Sequence, residues 1–170
     1  MNAATRLAAL LDQAGLRHVV HTPAGGAPTA TFQLGLPGEA PVAISARLTD
    51  PVLQLTAHGL CHAPAALPDT RQLLAINAIN ARWPLGRLYL GADRHSCEAA
   101  VSLLVGAEPL ASEWLYLALD GLGDMCRLIR AGALDSGTPE HAHDALLAQQ
   151  RLRLAEAPGG LTLLDVETAL

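Results

Sequence analysis

The stretch Leu73–Gly91, LLAINAINARWPLGRLYLG, decides the fold, because a helical period stops inside it and a strand period begins. Leu73, Leu74, Ile76 and Ile79 recur at three- and four-residue steps, the spacing of one helix face. Asp69 or Thr70 supplies a cap at the start. Pro84 cannot continue the helix, Gly86 permits a tight change of direction, and GRLYLG (86–91) then reads as a strand. Asn77 and Asn80 lie three apart on one face, where their amides can bond carbonyls of the last turn or of a neighbouring strand.

Upstream, Leu7, Leu10, Leu11 and Ala14 mark a first amphipathic helix over residues 3 to 14, closed by Gly15. The segments LRHVVHT, TATFQLGL, PVAISARL and PVLQLTAH follow between Leu16 and His58, each bounded by Gly, Pro or Asp, which predicts an antiparallel meander. Downstream, a polar link with Asp93 and Arg94 joins GRLYLG to a strand over about Ser96 to Gly106.

A third helix, about Leu110 to Ala131, is apolar on more than one side. Trp114, Leu117, Gly121, Met125 and Leu128 form one stripe, and Leu115, Leu119, Leu122, Cys126 and Ile129 a second. So wide an arc calls for a neighbour on each side: the sheet, and either a partner subunit or the C-terminal segment. A hinge over Asp135 to Thr138, a more polar helix to about Ala157, and the tail LTLLDVETAL (161–170) complete the chain. The expected class is α+β, with an antiparallel sheet of five or six strands, long helices on one face, and a C-terminal helical appendage.

The passage from Asn77 and Asn80 through Trp83, Pro84, Leu85, Gly86 and Arg87 into YLG resembles the YbjN-like family, whose second helix ends in a similar two-asparagine, Pro-Leu-Gly turn. That family is similar in fold to type III secretion chaperones, small acidic dimers that hold an extended segment of a client protein. The resemblance covers roughly residues 3 to 132. It implies a chaperone-like α+β domain over 1–132 and a C-terminal extension over 133–170 that owes nothing to it. The loop HTPAGGAPTA is longer and richer in Gly and Pro than a simple hairpin.

Composition narrows the function. Of 170 residues, 16 are acidic and 11 basic, a net charge of −5, which argues against direct binding of a nucleic-acid backbone. Five aromatics are too few for a base-stacking platform. Every basic residue is arginine, so Schiff-base chemistry and a phosphate-cradling lysine are excluded. Met1 to Asp12 lacks the run and cleavage site of a secretory signal, and Pro51 to Pro68 is too polar to span a bilayer, so the expected location is the cytoplasm. Cys61, Cys97 and Cys126, an odd and widely spaced set, read as small buried hydrophobes.

The chemical constellations are sparse. His58, Cys61 and His62, with His95 and Cys97, hold the donor types of a zinc site, but HxxCH is not a usual structural spacing. His141 and His143, beside Glu140 and Asp144, are two apart and do not share a helix face. Ser96 and Cys97 follow His95 without a nucleophile elbow. Asp120 and Asp124 are expected on the wet face of the third helix, paired with Arg127. Gly25 and Gly26 lack the helix that a phosphate loop needs.

The expectation is therefore a non-catalytic adaptor or chaperone-like regulator, homodimeric, with no cofactor and no bound metal. Its client carries a basic or apolar segment, and a nucleic-acid-binding protein would qualify. Trp114, Leu117, Met125, Leu128, Asn77, Asn80 and Trp83 are the candidate client or dimer residues. The alternative is a small zinc-dependent enzyme or regulator built on His58, Cys61, His62 and His95. A third reading places LTLLDVETAL in the chain's own groove as a self-inhibitor.

Overall fold

The computed structural model describes residues 2–62, 70–91, 96–105, 110–132, 134 and 140–156. The first helix, α1 (Ala3–Gln13), starts where Asn2 accepts a hydrogen bond from the Thr5 backbone N–H at 2.8 Å, and ends before Gly15 at φ +66°. The meander follows as β1 (Val19–His21), β2 (Thr29–Leu34), β3 (Val42–Thr49) and β4 (Val52–His62). Then come α2 (Thr70–Arg82), β5 (Arg87–Leu90), β6 (Ser96–Leu104), α3 (Ser112–Arg130) and α4 (Glu140–Glu156).

The six strands form one antiparallel sheet in the order β1-β2-β3-β4-β6-β5. This is the expected α+β class at the upper end of the expected strand count. The period of two sorts each strand's side chains between two faces. Ala30 and Phe32 of β2, Ile44, Ala46 and Leu48 of β3, Leu53, Leu55 and Ala57 of β4, and Ala99 and Val101 of β6 are all buried. Against them α1 brings Leu7, Leu10 and Leu11, and α3 brings Leu115, Leu119, Leu122, Met125 and Ile129. The other face carries Thr31, Gln33, Ser45, Arg47, Gln54, His58, Glu98 and Ser102, all exposed or partly so.

β4 runs past His58, where the sequence reading stops it. Gly59 adopts φ +65°, and pairing with β6 skips from Ala57↔Ala99 to Cys61↔Cys97, a bulge that lets the strand continue after the glycine. At the other turn, Gly86 (φ +109°) is forced to be glycine, since a Cβ there would lie 2.9 Å from the Ala100 carbonyl oxygen and 3.0 Å from the Met125 Sδ.

The two apolar sides of α3 are satisfied within the chain: one faces the sheet, and α4 packs on the helix with Leu147 buried in the same core. Leu117, Met125 and Leu128 are accordingly buried, which corrects their expectation as a partner surface; Trp114 is half-buried. Trp83 is also buried. Cys97 and Cys126 are buried, and desolvation pushes the Cys126 thiol up to about 12, as suits a packing residue. The tail LTLLDVETAL and the hinge at Asp135 to Thr138 lie outside the described residues. Among the described residues no helix is long and apolar enough to cross a membrane.

Candidate functional site

Three features of the fold bear on function: the two edges of the sheet, the ionic centre between α3 and α4, and a polar row across the open face.

The edges differ. At β5 the side chain of Asn80 bonds Leu88 twice, its Nδ2 donating to the Leu88 carbonyl at 2.8 Å and its Oδ1 accepting the Leu88 N–H at 2.7 Å. A helix side chain thus takes the position of a seventh strand and closes that edge. Asn80 has the structural role anticipated for the asparagines, whereas Asn77 is exposed. The outward face of α2 carries Leu73 and Leu74 exposed at 42% and 63%, while Ile76, Ile79 and Trp83 face the core. At the opposite edge β1 is three residues long and pairs with β2 alone, and its Val19 is 70% exposed.

The expectation for Asp124 needs correction. It is 1% exposed and lies between Arg127 Nη1 at 2.9 Å and Arg153 Nη1 of α4 at 3.1 Å; Asp120 remains exposed. Burial pushes the Asp124 carboxyl above its ordinary value, and Arg153 and then Arg127 oppose the shift. Arg153 draws a charge from α4 onto a buried acid of α3, so the sequence signal for this site lay in the polar appendage and not in α3 alone.

On the open face, residues from four strands form a connected row. Register pairs Ser45 with Thr56, and Tyr89 with Glu98. His58 stands one step past the last regular pair of β4 with β6. Its Nε2 is 2.7 Å from Ser45 Oγ and its Nδ1 is 2.9 Å from Glu98 Oε1. Burial raises the pKa of the Tyr89 phenol, the Thr56 side chain opposes the shift, and Glu98 adds to it. The small Ala100, paired with Thr56, leaves room for the tyrosine ring to reach across β6. A cavity of about 290 Å³ opens beside Ser45 and His58, lined also by Thr31, Phe32, Gln33, Ala43 and Ile44.

The hydroxyl that meets a histidine here is that of Ser45, which no local sequence signal marks; the candidates legible in the sequence are Ser96 and Cys97. Alternation along each strand places Ser45, His58 and Glu98 on one face, but only the register, and the bulge that aims His58, brings them together. Of the zinc candidates, His58 is engaged by Ser45 and Glu98, Cys61 and His62 belong to β4, and His95 lies outside the described residues. Among the described residues no group of three or more His, Cys, Asp or Glu is placed to hold a metal ion.

No protein-family model, no curated protein and no solved structure matches this chain.

Proposed function

We propose that the chain is a cytoplasmic protein-binding adaptor or chaperone-like regulator that works as a homodimer through the outer face of α2 and takes a client segment at the far edge of its sheet. The observation that carries this reading is the unequal treatment of the two edges. The β5 edge is covered by α2 and plugged by Asn80, while the β1 edge is short and bears an exposed valine. An extended client can add main-chain hydrogen bonds at an open edge, with its side chains giving selectivity.

The dimer reading rests on α2. Leu74, Ala78 and Ala81 follow each other at steps of four and three on its exposed side, next to Leu73. Two leucines flanked by small residues let a second copy of the helix approach closely, and a two-fold interface covers both patches at once. Because β1 and β5 are opposite edges, such a dimer keeps both client edges outward. The resemblance to the YbjN-like family supports the same reading.

The net charge of −5 favours a client with a basic segment, through faster encounter that salt weakens. The test is a tagged pull-down from native extract at low and moderate salt, with bound proteins identified by mass spectrometry. A single stoichiometric partner, retained less at moderate salt, is the expected result. Nothing retained at either salt overturns the adaptor reading.

A further inference from the structure

We propose that Ser45 is an activated nucleophile, and that the open sheet face carries an esterase-like site for small activated acyl esters, formed by Ser45, His58 and Glu98. This is independent of the adaptor reading, since the row lies on the sheet face and not on α2 or the β1 edge.

A carboxylate only accepts, so Glu98 fixes the His58 tautomer with its proton on Nδ1, 2.9 Å away. In the neutral imidazole Nε2 is then the acceptor, and the group facing it at 2.7 Å is the Ser45 hydroxyl, which donates to it. Nucleophile, base and orienting acid are therefore in sequence, each within hydrogen-bond reach of the next. Ser45, His58 and Glu98 stand on paired strands, with Tyr89 opposite Glu98 in the β5–β6 register, so the constellation is fixed by the sheet.

The substrate class follows from what surrounds the serine. The adjoining cavity of about 290 Å³ is the volume of a small ligand, and Thr31 and Gln33 on its wall can donate hydrogen bonds to a carbonyl oxygen. Side-chain donors of this kind suit an ester with a good leaving group better than an amide.

In the first step Ser45 Oγ bonds to the carbonyl carbon while its proton passes to His58 Nε2. The bond to the leaving alkoxide or phenolate then breaks, and that oxygen takes the proton from His58. In the second step His58 Nε2 removes a proton from water, whose oxygen bonds to the acyl carbon of the acyl-Ser45 ester; the bond from that carbon to Ser45 Oγ then breaks, Oγ takes the proton back from His58, and the carboxylic acid is released. Glu98 stabilises the imidazolium in both steps.

The test uses the full chain with two probes, hydrolysis of p-nitrophenyl acetate and covalent labelling by a fluorophosphonate located by peptide mass spectrometry. Ser102, on the same face of β6, serves as the internal comparison. The expected result is labelling at Ser45, with both hydrolysis and labelling falling roughly a hundredfold in His58→Ala and at least about tenfold in Glu98→Gln. Ser102→Ala changes neither. Circular dichroism of each variant separates loss of chemistry from loss of fold, and Ser45→Ala, the smallest change, must abolish labelling in a folded chain. Labelling of Ser45 no faster than of Ser102, or unaffected by His58→Ala, overturns the proposal and leaves the row as a polar strap between strands.

Discussion

Asn80 of α2 holds both main-chain groups of Leu88 in β5, one bond of 2.8 Å to its carbonyl and one of 2.7 Å from its N–H. A single amide supplies the donor and the acceptor that a further strand would supply at that position. The turn through Trp83, Pro84 and Gly86 brings the helix back along the strand that follows it, which is why an asparagine eight residues from Leu88 can reach it.

Replacing Asn80 by alanine leaves a partly buried donor and acceptor unmade, at a cost of about 1–3 kcal/mol. It also opens the edge, so Asn80→Ala should show both a lowered melting temperature and concentration-dependent association by light scattering. Asn80→Asp keeps the acceptor and loses the donor, and should fall between the two proteins. Equal stability of Asn80→Ala and wild type counts against the clamp.

Gly86 combines a φ of +109° with contacts of 2.9 Å and 3.0 Å awaiting any Cβ, one of them to backbone. Gly86→Ala should therefore cost at least about 2 kcal/mol, roughly 4–8 °C in melting temperature for a chain of this size. Thermal denaturation checks this, and a change under one degree contradicts it.

Asp124 links stability to pH. Burial raises its folded-state carboxyl above the ordinary value of 3.8, so the folded chain holds that proton more tightly than the unfolded chain. The stability contributed by this difference is fully present below about pH 4 and is lost as pH rises through the raised folded value. Asp124→Asn removes the titration, so the stability of wild type relative to the variant should decline from about pH 4 upward and then level off. Arg153→Ala removes the largest opposing influence and should move that decline to higher pH. A difference between wild type and Asp124→Asn that stays constant with pH contradicts the assignment.

Much of this was legible in the sequence. Leu7, Leu10 and Leu11 gave α1, and alternation gave the strands, because each element's period follows directly from which side chains face the core. The end of α2 was readable from Pro84 and Gly86. What the sequence hid depends on long-range placement. The apolar arc of α3 fitted a partner subunit as well as α4, and the choice was made by Leu147 and Arg153, one in the core and one on Asp124. Asp124 looked like a surface acid because its arginine lies 29 residues away. Ser45, His58 and Glu98 sit on three strands, 13 and 40 residues apart, and nothing local to any of them announces the others.

Sedimentation equilibrium of the full chain and of Leu74→Asp decides whether two copies join through the outer face of α2. A charge at the centre of a two-fold apolar contact is opposed by its own copy, while Leu74 at 63% exposure contributes little to the fold of one chain. The wild-type protein should run at about twice its 17.7 kDa chain mass, and Leu74→Asp as a monomer with unchanged circular dichroism. A wild-type monomer, or a dimer that survives Leu74→Asp, would contradict it.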